Sequence, residues 1–130
     1  YNHKITKEIT ENYDIISTES LTISKMIMDK EHHLSKAISD ATFNEILEQL
    51  EYKAKERGKY FYKISPYYPS SQICSVCNNI DKKYKNLDER MYECNRCYSK
   101  LDRDFNASVN IMFEGLKLHI MAPMKNLSTR

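Results

Sequence analysis

Four cysteines within 24 residues are the feature that most constrains how this chain can fold. They form two pairs with the spacing Cys74-x2-Cys77-x16-Cys94-x2-Cys97. Two residues between cysteines let a tight turn direct both sulfurs at one metal ion. Two such turns joined by a hairpin provide four thiolates in a tetrahedron, the geometry of Zn²⁺ sites. The pattern therefore predicts a small zinc ribbon, whose site is structural because all four ligands come from the protein.

An iron site or a redox-active pair are the alternatives for these cysteines. A redox CxxC motif normally stands alone at a helix start in a strand–helix–strand unit, and that context is missing here. A disulfide framework is typical of secreted chains, whereas the N-terminal sequence YNHKITKEIT has no apolar signal segment. No run approaches the roughly 18 apolar residues of a membrane span. The sequence therefore predicts a cytoplasmic protein without a membrane anchor.

Hydrophobic periodicity predicts a mixed α/β chain around the ribbon. The pattern predicts, in order, a helix at 3–13, a buried strand at 14–18, a long helix at 34–57, a strand at 60–64, the cysteine pairs at 74–97 and a helix from 102 to about 118. A helical turn is expected around residues 24–29 and a poorly ordered tail at the end. The chain divides accordingly into a first segment at 1–65, a ribbon at 66–100, a final helix at 101–120 and a tail at 121–130.

Acidic residues stand at two positions that suit catalysis. Glu19 follows the apolar strand, and Asp102 and Asp104 open the last helix. The alternative is that these acids only cap helices or interact favourably with the positive N-terminal ends of the helix dipoles. The small residues Ala107 and Ser108 would let the last helix pack closely on a neighbouring element. If that element were the strand of Glu19, Glu19 and Asp104 could share divalent cations such as Mg²⁺, which prefer oxygen ligands.

Positive charge is concentrated in the middle of the chain. Residues 53–103 hold 12 Lys and Arg against 6 Asp and Glu, although the whole chain carries a net charge of only +2. The segments KAKERGKYFYK and KKYK contain much of this charge. A local basic patch attracts a phosphate backbone. The alternative is a solvated, lysine-rich surface without a partner.

Four segments carry a resemblance to a known family. YDIISTESL, SSQICSVC, YECNRC and LDRDFNASVNI, in this order, resemble the C-terminal part of the insertion-sequence TnpB proteins, relatives of the type V CRISPR effector nucleases. The resemblance runs from about His3 to Ile111, and its most specific part is the cysteine module followed directly by DRDxNAxxNI. It implies an α/β chain with a partial RNase H-like (RuvC) nuclease fold and a four-cysteine zinc ribbon inserted before the final helix.

The resemblance also implies roles for particular residues. Glu19 matches the second acidic residue of the nuclease and Asp104 the third, so both would bind catalytic Mg²⁺ or Mn²⁺. The four cysteines match the zinc ligands. Asn78 and Tyr98 stand where the family usually has glycine, directly after each CxxC pair. We expect them to alter the geometry of the two CxxC turns, which we call knuckles. Basic residues expected to contact nucleic acid are Lys82, Lys83, Lys85, Arg96 and Arg103.

The function implied is that of a portion of a transposon-encoded RNA-guided DNA endonuclease, which hydrolyses phosphodiester bonds with metal ions. The expected partners are DNA, a guide RNA, and the rest of the nuclease chain or a complementing subunit. The first acidic motif should lie upstream of Tyr1, so these residues are expected to be inactive alone. The alternatives are a non-cleaving nucleic-acid-binding zinc-ribbon module or nuclease-dead regulator, and an interaction domain in which the acids are only helix caps.

Overall fold

The computed structural model describes residues 1–20, 33–85 and 89–128. Its elements in chain order are helix α1 (Asn2–Asn12), strand β1 (Ile15–Thr18), helix α2 (His33–Glu56), strand β2 (Tyr60–Lys63), the 3₁₀ helix η1 (Lys82–Lys85), strands β3 (Met91–Glu93) and β4 (Lys100–Asp102), and helix α3 (Arg103–Ser128). The predicted α/β order of elements is confirmed. The turn predicted around residues 24–29 lies outside the described residues. None of the described helices is long and apolar enough to cross a membrane.

Strands β1 and β2 form a parallel pair, with Ile15 opposite Tyr60 and Thr18 opposite Lys63. Parallel neighbours need a long crossover connection, and α2 lies in that connection. Because successive side chains of a strand point to opposite faces, Ile16 and Ser17 face different neighbours. The two faces of β1 therefore contact two different helices.

Helix α2 covers the face of β1 that carries Ile16. Ile16, Leu50 and Ala54 are buried together there. The helix ends at Glu56, and Gly58 follows with a φ of +69°, which suits glycine because it has no side chain to clash. The backbone N–H of Lys59 donates to the Ala54 carbonyl at 2.8 Å, which closes the last turn. The strand that follows, β2, is thereby directed back beside β1.

Helix α1 packs on α2 through polar contacts. Thr6 and Thr10 are fully buried. The Thr6 hydroxyl donates to Gln49 Oε1 at 2.9 Å, and Lys53 Nζ donates to Thr6 Oγ1 at 2.7 Å. Since every buried hydroxyl here has a partner, the interface avoids the cost of unpaired polar groups.

Helix α3 covers the other face of β1. The Ser17 hydroxyl donates to the Ile111 carbonyl at 2.7 Å, and Gly115 lies directly against the Ser17 side chain. Further along α3, His119 Nδ1 is 2.7 Å from the hydroxyl of Tyr62 on β2. Toward the helix start, Asn110 contacts the segment that follows β2. The first turns of α3 therefore lie on the carboxyl-end side of the strand pair, where Glu19 follows β1.

We expect Gly115→Ala to lower the free energy of unfolding by about 2 kcal/mol, because the new Cβ would overlap the Ser17 side chain. This net value allows for helix propensity, because alanine is roughly 1 kcal/mol more favourable than glycine in a helix interior. Gly58→Ala is the matched control: it has open space around it and a positive φ, so strain alone should cost about 1 kcal/mol. Urea unfolding measures both. Unchanged stability of Gly115→Ala would contradict the close packing of α3 on β1.

The end of α3 corrects one prediction. The helix runs to Ser128 rather than ending near Leu118, so the predicted helix end is too early. No glycine stop signal follows Gly115, and Met121 and Ala122 are good helix formers, so the helix continues to and past Pro123 although proline lacks the backbone N–H of an interior helical residue. The helical pattern therefore continues past the predicted end.

Candidate functional site

The four cysteine sulfurs lie together at one point of the cysteine module (residues 66–100). Cys74 Sγ is 3.6 Å from Cys97 Sγ, and Cys77 Sγ is 3.5 Å from Cys94 Sγ. All four atoms lie within 4.8 Å of one another. A tetrahedral site with metal–sulfur bonds of about 2.3 Å needs sulfurs about 3.8 Å apart. The four cysteines are therefore placed to hold one metal ion.

The two CxxC knuckles have the same backbone conformation. In each, the first cysteine exchanges hydrogen bonds with the residues four and five positions later, at distances of 2.8 to 3.0 Å. The partners are Asn78 and Asn79 for Cys74, and Tyr98 and Ser99 for Cys94. This repeated turn points both sulfurs of a knuckle to the same side, as a shared metal requires.

Asn78 and Tyr98 keep the turn that glycine would make. Their φ angles are +66° and +64°, in the left-handed region. The expectation that these residues alter the knuckle geometry is therefore wrong. Asparagine tolerates this region, whereas an ordinary side chain such as that of Tyr98 costs roughly 1 kcal/mol or more. The hydrogen bonds of the turn hold the backbone there despite this cost.

Two tyrosines form the interior of the module beside the cysteines. Tyr84 and Tyr92 are 2% and 0% exposed, with ring centroids 4.3 Å apart. The Tyr92 hydroxyl donates to the Gln72 carbonyl at 2.9 Å, and the Tyr84 hydroxyl donates to the Glu93 carbonyl at 3.1 Å. These bonds connect η1 and the first knuckle to β3, so the small module holds both knuckles with few apolar residues.

The surroundings of the sulfurs affect their protonation in different ways. Burial raises the pKa of the Cys74 thiol to about 12. Hydrogen bonding with the Ser99 hydroxyl, 3.2 Å away, lowers the pKa of Cys97 to about 6. The backbone N–H of Cys97, 3.4 Å from Cys94 Sγ, lowers the pKa of Cys94. N–H and O–H groups directed at sulfur favour the thiolate, which is the form that binds metal.

Glu19 is exposed just beyond the end of β1. It stands two residues after Ser17, whose side chain contacts α3. In extended backbone, residues two apart share a face, so Glu19 lies on the α3 side about 7 Å further along. Its location agrees with a carboxylate projecting from a strand end toward the first turns of α3.

Asp104 lies on the face of α3 that packs on β1. Asp104, Ser108, Ile111 and Gly115 are spaced at three, four or seven residues, so they follow one side of the helix. Asp104 is about 10 Å along the axis from Ile111, and its side chain is 90% exposed. By its spacing Asp104 stands on the β1-facing side of the helix start, beyond the residues that contact Ser17, and no hydrogen bond among the described residues links it to Glu19.

Asp102 and Asp104 have different surroundings. Asp102 Oδ2 accepts a hydrogen bond from the backbone N–H of Phe105 at 3.1 Å, so Asp102 caps α3. The capping alternative therefore holds for Asp102. Asp104 instead lies 3.6 Å from the Arg103 guanidinium. Its carboxylate has a cationic neighbour and open solvent in front of it.

A recess of about 300 Å³ lies beside Asp104, lined by Glu89, Arg90, Asp102, Arg103 and Asp104. Arg103 is 15% exposed, and its Nη1 atom is buried with no hydrogen-bond partner in the described chain. Carboxylates that suit cations and guanidinium groups that suit phosphate oxygens therefore line the same recess. Arg90 was missed at the sequence level because it carried no motif signal of its own.

The predicted nucleic-acid contacts divide into two groups. Lys82, Lys83 and Lys85 on η1 and Arg96 in the second knuckle are exposed. Lys83 Nζ lies 4.9 Å from the centre of the Tyr84 ring. Arg103 is mostly buried beside Asp104, so it belongs to the recess and not to this exposed surface.

Comparison with known proteins places the chain in a family. Residues 43–111 match the model of the Cas12f1-like TNB domain. The chain is 31% identical over 91 residues to the CRISPR-associated endodeoxyribonuclease Cas12f1 of Sulfoacidibacillus thermotolerans, covering 70% of this chain and 21% of that protein. It is 27% identical over 122 residues to the TnpB-like protein L79 of Acanthamoeba polyphaga mimivirus, covering 89% and 22%. The chain thus spans about a fifth of the length of these relatives.

A solved structure shares the fold. The cryo-EM structure of the Cas12f1–sgRNA–target DNA complex superposes with a TM-score of 0.55 at 21% identity, covering 85% of this chain and 32% of the other. The family match covers more than half of the residues, so the chain belongs to the TnpB-like family of RNA-guided nucleases, which is related to the type V CRISPR effectors.

Proposed function

We propose that this chain is the RuvC-like segment and zinc ribbon of a transposon-encoded RNA-guided DNA endonuclease. Residues 1–65 and α3 would form the nuclease part, and residues 66–100 the ribbon inserted into it. The observation that carries the proposal is the position of Asp104. It lies seven residues after Cys97, on the side of α3 that packs on β1, the strand that Glu19 follows.

Two kinds of metal site follow from the donor atoms. Four thiolates about one point favour Zn²⁺, which would have a structural role. The carboxylates of Glu19 and Asp104 favour Mg²⁺ or Mn²⁺, with a third carboxylate from the rest of the nuclease chain or from a complementing subunit. Such ions activate water and stabilise the leaving oxygen of a phosphodiester.

The protein's own groups would position the nucleic acid. Arg90 and Arg103 line the recess beside Asp104, where they can neutralise a phosphate next to the carboxylate. The exposed lysines of η1 and Arg96 would contact the backbone of the DNA or of the guide RNA. Support for these partners comes from the Cas12f1 relative, which is named an endodeoxyribonuclease, and from the neighbouring structure, which contains sgRNA and target DNA.

The test is cleavage by the intact protein bound to its guide RNA. We expect a matching DNA to be cut in Mg²⁺ or Mn²⁺ and left uncut after EDTA treatment, since hydrolysis needs ions at the carboxylates. A DNA without a match to the guide is the control and should stay intact. Stable binding of the matching DNA without cleavage in either metal would contradict the proposal and favour a non-cleaving regulator.

A further inference from the structure

Two asparagines of α3 are buried without a role in the proposed chemistry. Asn106 is 0% exposed and Asn110 is 3% exposed. They stand four residues apart, so they lie on one side of the helix. A buried amide without partners costs about 1–3 kcal/mol, so their hydrogen bonds must be specific.

The Asn106 amide binds the backbone on both sides of Cys74. Its Nδ2 donates to the Ile73 carbonyl at 2.7 Å, and its Oδ1 accepts from the Ser75 N–H at 2.9 Å. Ile73 and Ser75 are the two chain neighbours of Cys74, which is itself fully buried. One side chain of α3 therefore holds the backbone around a metal ligand.

Asn110 strengthens the same attachment one turn later. Its Nδ2 donates to the Ile73 carbonyl at 2.7 Å and to the Ser70 carbonyl at 2.9 Å. The Ile73 carbonyl thus accepts two hydrogen bonds from α3. The first knuckle is attached to the helix at three backbone atoms, none of them next to the helix in sequence.

The second knuckle is attached to the same helix by the chain itself. After Cys97 the chain forms β4, and α3 begins at Arg103 directly after that strand. A metal bound by all four cysteines would join the two knuckles. A closed circuit results: first knuckle, metal, second knuckle, β4, α3, and back to the first knuckle through the asparagines. Asp104 lies inside this circuit, between Cys97 and Asn106.

We propose that Asn106 and Asn110 are positioning residues that couple metal binding at the four cysteines to the position and order of the first turns of α3. Metal loss opens the circuit, because the two buried tyrosines and the few hydrogen bonds that then join the knuckles, such as Asn79 Nδ2 to Asn95 Oδ1 at 3.0 Å, are too little to keep the module folded. The first turns of α3 lose one of their two attachments to a fixed partner. The consequence for catalysis rests on the proposed function, in which Asp104 binds the catalytic ions, whereas the coupling itself does not.

Amide hydrogen exchange tests the coupling directly. The informative amides belong to residues 107–111, because their hydrogen-bond acceptors are the carbonyls of the first turn of α3. In the Zn²⁺-loaded protein we expect slow exchange at these amides, and at least about tenfold faster exchange after Zn²⁺ is removed by a chelator. Ser108→Ala, on the exposed part of the same helix, is the control and should keep this dependence on zinc.

The double variant Asn106→Ala/Asn110→Ala should lose the dependence. It retains all four cysteines, so it should still bind one Zn²⁺, and exchange at 107–111 should be fast with or without the metal. A persistent tenfold effect of zinc in this variant would overturn the proposal, as would the absence of any effect in the unchanged protein. If the double variant does not retain zinc, the two single variants provide the test. In each of them, removing zinc should speed exchange at residues 107–111 by less than it does in the unchanged protein, and an undiminished effect would overturn the proposal.

Cleavage kinetics separate this coupling from the role of Asp104. In the guide-bound protein we expect Asn106→Ala to lower kcat while leaving the KM for DNA nearly unchanged, since the residue positions Asp104 and does not contact DNA. Loss of zinc-dependent exchange without any change in kcat would show that the proposed function of Asp104 is wrong although the coupling is right. If Asp104→Asn lost cleavage while the double variant kept its zinc-dependent exchange, the proposed role of Asp104 would be right and the coupling wrong.

Discussion

Replacing Glu19 by Gln or Asp104 by Asn lowers the rate of DNA cleavage by the intact, guide-bound protein more than about 100-fold, and leaves its affinity for DNA nearly unchanged. The amide has almost the same shape as the carboxylate but lacks the negative charge that holds a hard divalent ion. Loss of an outer-shell partner alone typically costs 10- to 100-fold, so loss of a direct ligand should exceed that range. Single-turnover cleavage with saturating Mg²⁺ gives the rate, and a filter-binding titration in EDTA gives the affinity.

Asp102→Asn is the matched control for Asp104→Asn. Both changes remove one negative charge from the same recess, and both residues are exposed. Asparagine caps a helix about as well as aspartate, so the hydrogen bond from the Phe105 N–H can be kept. We expect the control to cleave within about twofold of the unchanged protein. If either Glu19→Gln or Asp104→Asn cut at the unchanged rate, the assignment of the carboxylates would be wrong.

Replacing Cys94 by Ser releases the metal and unfolds the cysteine module. The serine hydroxyl is a poor substitute for a thiolate ligand, and structural zinc contributes roughly 10–16 kcal/mol to the folding of small zinc domains. Beside the cysteines, the buried apolar residues among the described part of this module are Ile73, Tyr84 and Tyr92, which are too few to keep the module folded without the ion. Metal analysis of the purified protein should show the loss of about one Zn²⁺ per chain. The near-ultraviolet circular dichroism of the two tyrosines should decrease with it.

Val76→Ser provides the control within the first knuckle. Val76 is 62% exposed and lies between two ligands, so the change alters the loop without removing a sulfur. We expect its zinc content and tyrosine signal to match those of the unchanged protein. An unchanged zinc content in Cys94→Ser would refute the four-cysteine site.

The carboxylate site shows how far local sequence reasoning extends. The end of an apolar strand predicted a projecting carboxylate at Glu19, and the small residues after Asp104 predicted close packing of the last helix. The packing is seen, but the contact is made by Gly115 and Ile111 against Ser17, a turn or more beyond the residues that suggested it. That contact joins positions more than ninety residues apart, and no local pattern specifies such a pairing.

Two features of the cysteine module were misjudged or missed for identifiable reasons. Asn78 and Tyr98 were expected to alter the knuckles, because preference for glycine was the only signal available for a positive φ. The hydrogen bonds of each turn overcome that preference. Asn106 and Asn110 gave only an ordinary signal, two polar residues four apart in a helix. Their significance appears when their burial and their bonds to Ile73 are known.

The sequence by itself determined which cysteines come together, the order of helices and strands, and the family resemblance. Each of these depends on short spacings: two residues within a knuckle, about 3.6 residues per helical turn, and a glycine at a helix end. Only the tertiary structure decided which carboxylates line the recess with Arg90 and Arg103, and how α3 is attached to the first knuckle. These properties arise from contacts between distant segments, which form because buried apolar surfaces and polar groups must all find partners at once.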